Sequence, residues 1–286
     1  MSNFSRSTPL TVPMETTEQP ARLMLWLSSG LALACYALVL VGSVTPFDLA
    51  NLRGGLEATL LVAVTLSTLA AMARELPVQN VIMAAVIVAL LGGGLHAIGA
   101  YTSMPFGPFT YLDNIGPCAG TRFRKILAWP MPLLWVVLIF NSRGVARLIL
   151  RPWRKLKNYG LWLITLTVVL TVVLDLLFEP FASTGRRYWI WDQTKLPFNW
   201  QGVPLTNFLS WAIATILILA FVTPAVIKKR SSGSKSRPYY HALTVWGLAA
   251  VLFTGSAFIG HLWLVGGFGV IALITVTAAA VHGARW

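Results

Sequence analysis

The feature that most constrains this chain is a succession of apolar runs, each close to the roughly 20 residues a helix needs to cross a hydrocarbon core of about 30 Å. They cover Leu23 to Val44, Leu56 to Ala73, Val81 to Tyr101, Ile126 to Phe140, Tyr159 to Leu177, Pro204 to Ile227, His241 to Phe258 and Leu262 to Val281. Composition agrees, since 56% of the 286 residues are hydrophobic and 11% charged, whereas about a quarter are charged in soluble domains. The runs predict an all-α, polytopic transmembrane bundle of eight helices. The fourth run is short and holds Pro130 and Pro132, and only Ile259-Gly260-His261 separates the last two, so seven helices is the alternative.

A net charge of +13 raises nucleic acid as a partner, but the basic residues form short clusters between apolar runs, a pattern of membrane topology. With the N-terminus inside, 15 of the 22 Lys and Arg residues fall in inside segments and seven outside. The positive-inside rule then puts both termini in the cytoplasm, with the chain in the plasma membrane. Residues 1–22, with Pro9, Pro13 and Pro20, read as a disordered tail and 23–286 as one transmembrane helical domain. The basic loop from Arg143 to Lys157 reads as an anchor to anionic membrane lipid. Cys35 and Cys118 have no metal-ligand or redox spacing, so neither a metal nor a redox cofactor is expected on them.

Two loops carry the unusual residues, and any even-helix topology puts both on one face. The first runs from Tyr101 to Asp113 and includes Pro105-Phe106-Gly107, Phe109 and Tyr111; the second runs from Glu179 through Tyr188-Trp189-Ile190-Trp191 to Asn207 and Phe208. An interfacial aromatic belt is the bland account of these rings. Inside the apolar runs, His96 and Asp175 stand out, because a charged, unpaired group there costs at least ~2.5 kcal/mol. Each lies 16 residues into its run, counted from Asn80 and Tyr159, about 24 Å at 1.5 Å per residue and toward the face of the two loops. Glu179, four residues after Asp175, shares its side of the helix until Pro180 ends it. A structural hydrogen bond is the alternative role for His96 or Asp175, and simple solvation the alternative for Glu179.

The segment from Gly99 to Pro117, with Thr102, Pro105-Phe106-Gly107, Phe109, Tyr111 and Gly116-Pro117, resembles the motif G-x-x-T-G-x-P-F-G-x-Y-x-Y followed by L-G-P. Asp175 and Pro180, then Tyr188-Trp189-Ile190-Trp191, then Gly202-Val203-Pro204-Leu205-Thr206-Asn207-Phe208 and Trp211, are similar to D-x-x-x-[DE]-P, Y-W-x-W and G-V-P-x-x-N-F-x-x-W. These motifs belong to membrane carotenoid hydratases of the gamma-carotene and bisanhydrobacterioruberin type. The chain departs from them at His96, where the family usually has glutamate, at Ser103, where it has glycine, and in lacking a Gly-Val-Pro near Cys118 to Lys125. The resemblance implies addition of water to the terminal double bond of a linear carotenoid, without a redox cofactor. Its implied partners are that carotenoid, water, membrane lipid and other enzymes of the carotenoid pathway.

Hydrating such an alkene takes a strong acid, support for a tertiary cation, and water. A carboxylic acid beside apolar surface keeps its proton, which suits Asp175 as the acid with His96 orienting it. Phe106, Tyr111, Tyr188, Trp189 and Trp191 are the candidate substrate-binding rings, aromatic faces being suited to a cation. Glu179 is expected to take the proton from the attacking water and Asn207 to hold that water. Cyclisation or double-bond isomerisation shares the protonation step and differs only in what captures the cation, and two rival classes remain besides. A transporter would set its ionisable groups at the midplane, often with inverted repeats, and a carotenoid-binding assembly protein would need the aromatics without Asp175.

Overall fold

The computed structural model describes residues 15–45, 50–121, 124–192, 198–227 and 239–286. Among them are eight helices long and apolar enough to cross a membrane. They are α1 (Glu15–Val44), α2 (Ala50–Ala73), α3 (Val78–Thr102), α4 (Pro130–Ile149), α5 (Tyr159–Pro180), α6 (Leu205–Val222), α7 (His241–Ile259) and α8 (Trp263–Ala284). The chain is a multi-pass membrane protein with an all-α bundle. Six short strands decorate the face where α1, α3, α5 and α7 end: β1 (Phe109–Tyr111), β2 (Cys118–Thr121), β3 (Arg124–Ala128), β4 (Trp189–Trp191), β5 (Asn199–Trp200) and β6 (Val203–Pro204).

Helices α1, α4 and α5 depart from the sequence reading. Helix α1 begins at Glu15, inside the expected tail, and tolerates Pro20, whose ring fits a helical φ and removes a single intrahelical bond; residues 1–14 lie outside the described residues. Ile126 to Ala128 belong to β3, and α4 starts at Pro130, where a proline's missing N–H is one no helix could have used. Helix α4 then runs past Phe140 through Asn141, Ser142 and Arg143, so Arg143 is a buried helical residue and not part of a loop. Finally, Pro180, which was expected to end α5, does not. The helix reaches Pro180 and continues as a π-helical turn over Phe181–Gly185. The Leu176 carbonyl, which a residue other than proline at 180 would have bonded, accepts the Trp200 indole N–H at 2.9 Å.

Helix α4 is the core of the bundle, packing on α2, α3, α5, α7 and α8, with two thirds of its apolar window buried. Its approach to α3 depends on Gly92, where any Cβ would strike the Trp135 ring. The two aromatic loops meet as an antiparallel ladder, β1 against β4, with Phe109 opposite Trp191 and Tyr111 opposite Trp189. Alternation sends those four rings to one side and Thr110 and Ile190 to the other. The two loops, expected on one face, are joined there by this ladder.

Candidate active site

Asp175 and Glu179 lie one helical turn apart on α5, and both are buried. The hairpin of β5 and β6 turns at Gln201 and Gly202, both at positive φ, and launches α6 so that Asn207 faces them from its first turn. The Asn207 amide donates one hydrogen to Asp175 Oδ2 at 3.1 Å and the other to Glu179 Oε1 at 3.2 Å. Trp189 and Trp191, two residues apart on one side of β4, both donate their indole N–H to Glu179 Oε2 at 3.1 Å. Glu179 therefore accepts three N–H groups, the surroundings of an ionised carboxylate. Asp175 differs: its Oδ1 is buried with no hydrogen-bond partner among the described residues, the open position a protonated acid fills with an O–H.

Several expected roles change. Glu179 is 1% exposed and not solvated at the interface, because β4 folds over the end of α5. Asn207, expected to hold a water, bridges the two carboxyls and so holds Asp175, the partner expected for His96. His96 accepts a hydrogen bond at Nδ1 from the Trp135 indole at 3.2 Å, so in its neutral form the ring carries its proton on Nε2. No hydrogen bond joins it to Asp175 among the described residues. The reason is helix order: α3 packs on α4 and α6, and the imidazole sits among Phe106, Phe109, Trp135 and Trp211 from the first loop and those two helices. Phe106 is fully buried on His96, at 4.6 Å between ring centroids and tight against Gly99. Its loop is tied down by Thr206 donating to the Phe106 carbonyl and Ser210 to that of Pro105.

A cavity of about 810 Å³ opens between α1, α2, α4 and α7 and closes on Phe178, Phe181, Tyr188 and Trp189. Its lining is mainly apolar, and its volume is in the range of small-molecule sites. Along α7 it extends from His241 to Phe253, about 18 Å at the helical rise. Of the expected substrate-binding residues, Tyr188 and Trp189 line it; Phe106, Tyr111, Trp191 and Asn207 do not. Trp189 is the link, since it walls the cavity and also holds Glu179.

Glu57, which the sequence reading passed over, sits at the same end of the cavity. It pairs with Arg186 at 2.7 Å and accepts the Tyr188 hydroxyl. Burial and this carboxylate push the Tyr188 phenol above its ordinary value, so it stays a donor. The signal was in the sequence, because Glu57 is the second residue of the apolar run Leu56 to Ala73.

A family model described as "Carotenoid biosynthesis protein" matches residues 55–281. Among curated proteins, a bisanhydrobacterioruberin hydratase of Haloarcula japonica is 26% identical over 140 residues, which are 49% of this chain and 44% of that protein. The chain thus aligns with under half of the relative's length. No solved structure matches.

Proposed function

The chain belongs to the carotenoid biosynthesis protein family, and on that footing we propose that it hydrates the terminal double bond of a linear carotenoid, with Asp175 as the acid. The observation that carries this reading is the unequal carboxyl pair: Glu179 saturated by three donors, and Asp175 with one buried oxygen that has no partner among the described residues. Two carboxylates at this spacing, about 5.5 Å between Cβ atoms, would repel by about 3 kcal/mol at an effective dielectric near 20. One proton held by the pair removes that repulsion, and Asp175 Oδ1 is the atom with room for it.

The polyene lies in the apolar cavity with its end group at the rings of Phe178, Phe181, Tyr188 and Trp189. Asp175 protonates the less substituted alkene carbon, leaving a tertiary cation beside those ring faces and the Glu179 charge. Water adds to the cation, and the resulting oxonium returns a proton to the Asp175 carboxylate. The cycle closes on one residue, and buried Glu179 serves as a fixed negative charge in place of a solvent-facing base. Reaching Asp175 requires the Trp189 indole to swing away from Glu179. The protein sits in the plasma membrane with both termini cytoplasmic, consistent with the basic residues between α4 and α5.

A second reading is a carotenoid-binding protein without catalysis. It is favoured by one observation, that Asp175, Glu179 and His96 are absent from the cavity wall. Expression in a host that accumulates lycopene or gamma-carotene separates the two. Hydration yields pigments heavier by one water, whereas binding alone retains unaltered pigment on the purified protein.

A further inference from the structure

The face opposite the aromatic loops holds a second cavity, of about 570 Å³, that the hydration chemistry does not use. Its walls include Arg143 and Arg147 of α4, Arg151 and Arg154 beyond it, and the start of α5 at Tyr159. Arg143 is 9% exposed, six residues before the end of α4, about 9 Å into the bundle. Among the described residues its guanidinium donates a hydrogen bond to the Val226 carbonyl at 3.3 Å. It takes part in none of the salt bridges among the described residues. Arg147, one turn on, pairs with Glu75 at 3.4 Å.

Glu75 lines the same cavity and is the nearby carboxylate for both Arg143 and Arg147, so among the described residues a single negative charge faces the arginines of this wall. A buried guanidinium that must share its counter-charge with a second one a turn away is unfavourable. Residues 1–14 and 228–238, which lie outside the described residues, contain no Asp or Glu. The first turn of α5, a helix of 22 residues, has no side-chain cap, so its amides and dipole add further attraction for an anion. Deeper in, the wall is largely apolar, with Phe140, Leu163, Ile164 and Leu219 beside Thr68, Asn141 and Thr167.

We infer that this cavity binds a phosphate group, delivered by an anionic phospholipid whose chain follows the apolar inner wall, with Arg143 as the buried counter-charge. Guanidinium matches phosphate in fork geometry, and the cavity opens at helix ends, where headgroups lie. The test uses the full chain in detergent, with phosphatidylglycerol, phosphatidylcholine or excess inorganic phosphate added, read by native mass spectrometry and melting. Phosphatidylglycerol should be retained and raise the melting point, with phosphatidylcholine inert. Arg143→Gln should weaken phosphatidylglycerol binding about tenfold, the loss of one charge-assisted hydrogen bond. Arg154→Gln, on a more exposed side chain, should weaken it a few-fold in a protein that still folds. Equal retention of both lipids, or undiminished phosphatidylglycerol binding in both variants, overturns the site. Inorganic phosphate reproducing the whole effect keeps the phosphate site and overturns the lipid as its source.

Discussion

Replacing Asn207 by leucine keeps most of the side chain's volume and removes the amide that joins the two carboxyls at 3.1 and 3.2 Å. Glu179 keeps its two indole donors. Asp175 keeps none, so both of its oxygens become buried without a partner. A hydrogen bond to charged Glu179 contributes about 1.5–3 kcal/mol and one to the protonated Asp175 about 0.5–1.5 kcal/mol; taken together because their effects couple, they give about 3 kcal/mol. At about 2–4 °C per kcal/mol for a chain of this size, the melting midpoint should fall by about 6–12 °C. Tryptophan fluorescence during heating in detergent measures it. Leu209→Ala, two residues on and 57% exposed, is the control and should leave the midpoint in place. An Asn207→Leu protein that melts with the wild type would refute the bridging role.

Trp135→Phe keeps a ring on Trp211 but strips His96 Nδ1 of its donor, and should cost about 1–3 kcal/mol in the same melting assay. Gly92→Val should abolish accumulation of folded protein, because its Cβ meets the Trp135 ring, whereas Gly94→Val, which has open space, should accumulate normally by size-exclusion chromatography. Single cysteines at Lys155 and Arg187, in a background without Cys35 and Cys118, should label from opposite sides of the membrane, Lys155 from the cytoplasm.

The helices were legible because the cost of exposing backbone in lipid forces long apolar runs, and those runs gave eight spans with α5 starting at Tyr159 as expected. Boundaries failed where a span contained polar residues: burial lets α4 carry Asn141 and Arg143, which a hydropathy reading ends at Phe140. The meeting of the aromatic loops was legible from loop parity. The wiring beneath them was not, because the depth arithmetic that matched His96 to Asp175 contains no information on which helices are neighbours. Only the packing of α3 on α4 and α6, and of α5 on α6, gives His96 to Trp135 and Asp175 to Asn207. The indole bonds from Trp189 and Trp191 to Glu179 were hidden for a related reason, since a ring reads as apolar surface until its N–H is seen to have a destination.

Asp175→Asn tests the account most directly, because it keeps the side chain's shape and removes the proton. Wild type and variant are expressed in a lycopene-accumulating host grown in isotopically labelled water, and the pigments are analysed by mass. The account expects wild type to yield carotenoid carrying a hydroxyl with the water's oxygen label, and Asp175→Asn to yield none while inserting and melting much as the wild type does. A folded Asp175→Asn protein that hydrates its carotenoid at an undiminished rate would contradict the assignment of the acid.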